Sequence, residues 1–272
     1  MPNPNHHTLP IELYSSIAEH AESGDLARMM LVSRTLHDEV ERVLYREVDL
    51  QVDLASHQPV FQNLSTNARR AGHVIKLRLT CEDESVEAED IRDMIATALR
   101  QVINLQHLTL KFQGECPKLE SLTERCYFQL RRFEYETCNY NDGNYIPTFF
   151  ALQPQIEHLK FKFYDSPTAL PPTVLPRLRT VDGPLSLTRA VLETRSRPIS
   201  RLMWRGQVEE LRERGPFMDL KVLNFGSKIK LETFGSLDSD LAPNLQFVEL
   251  PLHVNLVSCP VPALGALMRV YF

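Results

Sequence analysis

At 272 residues, with 43% apolar and 24% charged side chains, the chain has the composition of a folded protein, which excludes disorder throughout. A net charge of −5 argues against a generally basic nucleic-acid binder, so nucleic acid is not expected as a partner and any basic surface must be local. Five widely spaced cysteines, odd in number and without a C-x-x-C pair, point to reduced thiols in the cytoplasm or nucleus and to no metal or cofactor bound through sulfur.

Residues 1–8 read as a flexible polar leader, and His6-His7 within it as unstructured rather than metal-binding. No signal sequence is evident, and no later run approaches the roughly 18 uninterrupted apolar residues of a membrane span, so no membrane association is expected. Residues 9–44 then read as three short helices. Pro10 suits a first helical turn, and Leu13, Ile17 and Ala21 recur on one face. Gly24 is expected to break that helix, with Asp25 opening a second that carries Leu26, Met29 and Met30. Ser33 is a natural N-cap for a third, striped by Leu36, Val40, Val43 and Leu44. A unit below about 40 residues seldom supports itself. It either packs only on the remainder of the chain or also presents apolar residues to another protein.

From residue 45 to the end the pattern apolar-x-x-apolar-x-apolar occurs ten times, starting at Tyr45, Val74, Leu105, Leu130, Ile156, Leu178, Ile199, Leu220, Leu245 and Leu267, at intervals of 21 to 31 residues. Each copy predicts a strand, and the interval is that of a leucine-rich repeat, one strand per coil of a parallel solenoid. The fold class expected is therefore α/β: three helices followed by a leucine-rich-repeat solenoid, strands on a concave face, helices and turns on a convex one. Between strands, Val86 to Val102 keeps a helical stripe, Pro59 to Ala71 and Thr188 to Thr194 weaker ones, and the shorter later repeats are expected to carry little more than turns. The last copy ends at Phe272 without a polar cap, which reads as a stack cut short, or else as an edge covered by a partner or a second copy.

If positions four and six enter the core, positions three, five and seven line the concave face. Lys76, Arg78, His107, Lys111, Arg132, His158, Lys160, Lys162, Arg201 and Arg205 then make it locally basic despite the negative total. Such a face can capture an acidic or phosphorylated protein segment, or be a solvated sheet surface. No nucleophile–base pair, P-loop, dinucleotide fingerprint or metal-ligand spacing appears, so no catalytic residue, metal or cofactor is expected. Glu82-Asp83-Glu84 with Glu87, Glu89 and Asp90 lacks calcium-loop spacing and reads as a charged approach to a helix. Asn141-Asp142-Gly143-Asn144 reads as a turn, and Trp204 as a core residue.

Leu9-Pro10-Ile11-Glu12-Leu13, then Asp25-Leu26, then Val32-Ser33-Arg34 and Leu36, resemble the F-box in order and spacing. Leu36 and His37 stand where that family often has an aromatic. With the repeats, and with Leu44-Tyr45-Arg46-Glu47-Val48-Asp49-Leu50 as junction, the whole chain resembles the F-box proteins with degenerate leucine-rich repeats abundant in fungi. The resemblance implies a non-catalytic substrate receptor of a Skp-cullin-F-box ubiquitin ligase. Leu9, Pro10, Leu13, Ile17, Leu26, Val32 and Leu36 would form or support the surface facing the Skp adaptor, and through it a cullin; the repeats would hold a protein substrate. The alternative is an interaction scaffold that delivers nothing for degradation.

Overall fold

Positions four and six of the repeated segments are apolar, except that Gly183 stands sixth in the Leu178 copy, and a strand sends alternate side chains to opposite faces, so each segment can bury one face and expose the other. The computed structural model describes residues 10–52, 55–83, 88–113, 117–137, 142, 144–162, 170–194, 196–226, 241–250 and 268–270, and it places a strand at each of the ten segments. These are β1 (Glu47–Gln51), β2 (Lys76–Cys81), β3 (His107–Phe112), β4 (Arg132–Glu136), β5 (His158–Lys162), β6 (Thr180–Asp182), β7 (Arg201–Trp204), β8 (Val222–Phe225), β9 (Phe247–Leu250) and β10 (Met268–Val270). Each pairs in parallel with the next in sequence, giving one ten-stranded sheet in the order β1 to β10. The chain is an α/β protein.

A parallel pair needs a crossover, and the crossovers here carry helices against one face of the sheet. They include α4 (Gln58–Thr66), α5 (Ala68–His73), α6 (Ala88–Gln101), α7 (Leu119–Thr123), α8 (Ile146–Leu152), α9 (Leu185–Leu192) and α10 (Val208–Arg214). Between sheet and helices runs one apolar core, in which Leu77 and Leu79, Leu108 and Leu110, Phe133 and Tyr135, and Leu159 and Phe161 meet Leu64, Ile95, Leu99, Phe149 and Phe150. Phe133, Tyr135, Phe149, Phe150 and Phe161 form its aromatic centre, with ring centroids 5.0 to 6.3 Å apart. Trp204 is fully buried and donates its indole N–H to the Gln207 carbonyl at 2.8 Å. The later repeats hold more helix than their length suggests: α9 and α10 run for 8 and 7 residues, α9 burying Leu187, Ala190, Val191 and Leu192 and α10 seated by Val208 and Leu211 alone.

Several polar side chains, Gln153 buried and Asn104 and Asn244 exposed, stitch neighbouring crossovers together. Gln153 accepts the Leu130 N–H at 2.8 Å and donates to the Phe128 carbonyl at 3.2 Å, while Asn104 and Asn244 donate to the carbonyls of Gly72 and Met218, each at 2.7 Å. Asp142, in the segment read as a turn, is buried; it accepts the Leu119 N–H at 2.9 Å and the Tyr135 hydroxyl. Burial raises its carboxyl above the ordinary range and outweighs those two hydrogen bonds. A folded-state value above the unfolded one means stability present at low pH and lost as pH rises through it. Asp142→Asn cannot ionise, and it keeps the Leu119 N–H on its amide oxygen while the Tyr135 hydroxyl turns to accept from its amide nitrogen, so its stability relative to wild type should be higher at neutral pH than near pH 3. Urea melts at the two pH values read this directly.

The first three helices are α1 (Ile11–His20), α2 (Ser23–Met29) and α3 (Arg34–Arg46). Ser33 caps α3 by accepting the Leu36 N–H at 3.2 Å. Gly24 lies inside the first turn of α2 rather than before it; the chain turns at Ala21–Glu22 instead, and the exposed first turn tolerates a glycine. Ala18, Leu26, Leu36 and Val40 form a small core of their own, with Tyr14, Ala21, Met29, Met30 and Val43 packed beside it. Ser15 donates to Glu39 at 2.6 Å, and Arg46 and Arg42 reach Glu19 at 3.2 and 3.6 Å, tying α1 to α3.

The trio is joined to the sheet in two ways. α3 ends at Arg46 and β1 begins at Glu47 with no intervening loop. Glu41 on α3, 2% exposed, takes hydrogen bonds from Arg69 and Arg70 on α5, with Arg70 Nε at 2.6 Å; Arg70 also lies 5.5 Å above the Tyr45 ring. Burial raises the Glu41 carboxyl, but the hydrogen bonds from the two arginines prevail and hold it below its ordinary value. Its stabilisation is therefore present above the unfolded pKa and lost as pH falls through the folded one. Glu41→Ala removes the acceptor shared by the two guanidinium groups, leaving Arg69 with Asp38 and Arg70 with Asn63, and should cost about 2 kcal/mol in urea unfolding at neutral pH.

Candidate functional site

Two surfaces carry the residues singled out from sequence. The first is on the helical trio. Leu9 lies outside the described residues. Pro10, Leu13, Ile17 and Val32 are exposed, whereas Leu26 and Leu36 are buried in the trio's own core and support the surface from within. Ile11 and Leu31 join the exposed set, with Leu31 at 87% and Val32 at 74%. Leu13 and Ile17, four residues apart, share one face of α1; Leu31 and Val32 fill the turn between α2 and α3. Scattered surface leucines are ordinary, but with Leu44 on α3 six large apolar side chains are exposed on some thirty-five residues, more than the four apolar residues the trio buries.

The second surface is the sheet face opposite the helices. The burial alternation puts Lys76, Arg78, His107, Lys111, Arg132, His158, Lys160, Lys162, Arg201 and Arg205 on it, partly or fully exposed. Its charge is more balanced than the cations alone suggest. Lys76 pairs with Glu47 at 2.6 Å, Arg78 with Asp49 at 3.7 Å, Arg132 with Glu134 at 2.6 Å, Lys162 with Glu136 at 2.6 Å, Arg201 with Glu249 at 2.7 Å and Arg205 with Asp182 at 3.1 Å. Lys111 and Lys160 have no carboxylate within 4 Å among the described residues; both lie near Glu134, whose carboxyl is raised by burial but held low by Arg132 and these lysines. Glu47 and Asp49 belong to this face because β1 registers Glu47 against Lys76 and Asp49 against Arg78. The junction carries the same repeat pattern, so both positions were readable from it.

The centre of the face is a hollow of about 410 Å³ across β4 to β8, lined among others by Arg132, Glu134, His158, Lys160, Asp182, Arg201 and Asn224. Its floor is braced: buried Glu249 accepts from Arg201 at 2.7 and 2.9 Å and from Asn224 at 2.7 Å, and Arg132 grips Glu134 with Nε and Nη2. His158 Nδ1 lies 3.0 Å from Thr180 Oγ1. Burial, then neighbouring cations, lower the pKa of both His107 and His158, so each imidazole is neutral near pH 7. Such a lining offers paired donors and acceptors for a peptide backbone and acidic side chains, without a nucleophile–base pair.

Among the described residues no group of three or more His, Cys, Asp or Glu is placed to hold a metal ion, and no helix is long and apolar enough to cross a membrane. Cys81 and Cys126 are free thiols, and burial pushes the Cys126 thiol up to about 12, which makes it unreactive at neutral pH. Cys116, Cys138, Cys259, the His6-His7 pair and most of the final repeat lie outside the described residues, as do Glu84 and Glu87 of the acidic run.

No protein-family model matches the chain, and no curated protein matches it. Among solved structures, it is similar to a Bacteroides fragilis protein determined by a structural-genomics consortium, at 13% identity and a TM-score of 0.48 over 74% of this chain and 67% of that one.

Proposed function

We propose that the chain is a non-catalytic substrate receptor: the helical trio docks the Skp adaptor of a cullin-RING ubiquitin ligase as an F-box, and the sheet, as the strand layer of a leucine-rich-repeat solenoid, holds a protein substrate. The observation that carries the reading is the exposed apolar set Ile11, Leu13, Ile17, Leu31 and Val32 on a trio anchored to the sheet by a buried Glu41. An apolar surface of that kind fits a protein partner, and the anchoring gives the two surfaces a fixed spacing, which raises the effective concentration of a captured lysine near the ubiquitin carrier.

Ubiquitin chemistry belongs to other subunits in this reading. The tagged chain should co-purify with the Skp adaptor and a cullin, and replacing Pro10, Leu13 and Ile17 by Ala should remove both. Co-purification undiminished by those three changes would move the docking surface elsewhere, and absence of the adaptor from the wild-type preparation would favour a scaffold.

A further inference from the structure

The register divides the sheet face into two unlike rows. Position five runs Asp49, Arg78, Thr109, Glu134, Lys160, Asp182 and alternates in sign. Position three, one pleat earlier, runs Lys76, His107, Arg132, His158, Thr180, Arg201 on consecutive strands β2 to β7. No carboxylate stands in that row between Lys76 and Arg201; the acids that neutralise it sit at its end, as Glu47, or on the next pleat, as Glu134. With strands about 4.8 Å apart the row is about 24 Å long, the reach of roughly seven or eight extended residues.

We propose that this row binds an acidic, carboxylate-bearing segment of a captured protein laid across the strands, and that His107 and His158 take up protons as it binds. The inference rests on the receptor reading for the nature of the occupant. Charge complementarity selects it: Arg201 commits only Nη2 to Glu249, and Arg132 commits Nε and Nη2 to Glu134, so each guanidinium keeps donors for an incoming carboxylate.

The imidazoles set the pH dependence. His107 is faced by Lys76 from β2, with Glu47 beyond it, by Arg132 from β4 and, further off, by His158. His158 is faced by Arg132 from β4, by Thr180 of β6 and Arg179 just before it, and by the adjacent Glu157, just before β5. In the free protein, burial and these cations disfavour a further positive charge. A carboxylate laid over the row reverses that balance, so the bound state holds more protons and affinity rises as pH falls from neutrality.

The test is fluorescence anisotropy of the full chain with a labelled peptide of about eight residues alternating Glu and Ser, at fixed ionic strength, at about pH 7.5 and about pH 5.5. The expected result is about tenfold tighter binding at the lower pH, no binding of the Gln counterpart, and loss of the pH gain in the His107→Asn/His158→Asn double variant. Arg132→Gln with Arg201→Gln should weaken binding at both pH values. No binding of the Glu peptide, an undiminished pH gain in the histidine variant, or binding only of a phosphoserine counterpart would overturn the proposal. Adaptor binding by the same preparation is read separately. Peptide bound without adaptor sinks the receptor reading and keeps the row; adaptor bound without peptide does the reverse.

Discussion

A chain carrying Ile17→Asp and Val32→Asp should lose more than about hundredfold in affinity for the Skp adaptor while unfolding within about 2 °C of wild type. Both side chains are exposed, at 48% and 74%, and neither contributes to the trio's core of Ala18, Leu26, Leu36 and Val40, so the substitutions remove no internal packing. On the docked surface each places a carboxylate where an apolar contact is expected, and an unpaired buried charge costs more than the lost contact itself. Leu36→Asp is the informative contrast. That residue is 8% exposed inside the core, and its replacement should unfold the trio and lose adaptor binding for a structural reason. Circular dichroism melts with calorimetric titration separate the two cases.

Arg197→Ala should lower stability by about 3 kcal/mol and the melting temperature by about 9 °C. The side chain is 7% exposed, and its guanidinium donates to the carbonyls of Val174 at 2.9 and 3.1 Å, Pro171 at 2.8 Å and Val191 at 2.5 Å, and to Thr194 Oγ1 at 2.7 Å. Removing a buried charge recovers some desolvation, and burial does lower its pKa. Pro171 keeps the Val174 N–H at 3.0 Å, but the Val174 and Val191 carbonyls lose this donor, and that outweighs the gain, since each buried unsatisfied acceptor costs about 1 to 3 kcal/mol. Arg197→Met keeps the stem's volume and loses the same bonds. It should recover less than about half of the deficit if hydrogen bonding dominates, and nearly all of it if packing does. Chemical denaturation of the three proteins distinguishes these outcomes.

Periodicity made the strands legible in advance. A strand must bury every second side chain, so Val74-x-x-Leu77-x-Leu79 and its nine counterparts announced the strands, and the parallel order came from their spacing. Ser33 as a cap was equally local. The helices of the later crossovers were harder, because Val208 and Leu211 are a two-residue signal that a turn gives equally well. Arg197, Asp142 and Gln153 carry no pattern at all: each sits in a connection and is recruited by backbone groups roughly one repeat away, which only the folded stack brings within reach. The sheet face was legible in its cations but not in their pairing. Lys76 meets Glu47 across 29 residues and Arg201 meets Glu249 across 48, so neutralisation becomes visible only once strand order and register are fixed together.

Calorimetric titration of the purified full chain with purified Skp adaptor tests the division of labour most directly. The expected result is a one-to-one complex with submicromolar affinity and a negative heat-capacity change, the mark of apolar surface leaving water, abolished by Ile17→Asp with Val32→Asp and unaffected by Arg132→Gln with Arg201→Gln. A wild-type chain that gives no binding heat at tens of micromolar at two temperatures, or whose binding is insensitive to the trio variant, would contradict it.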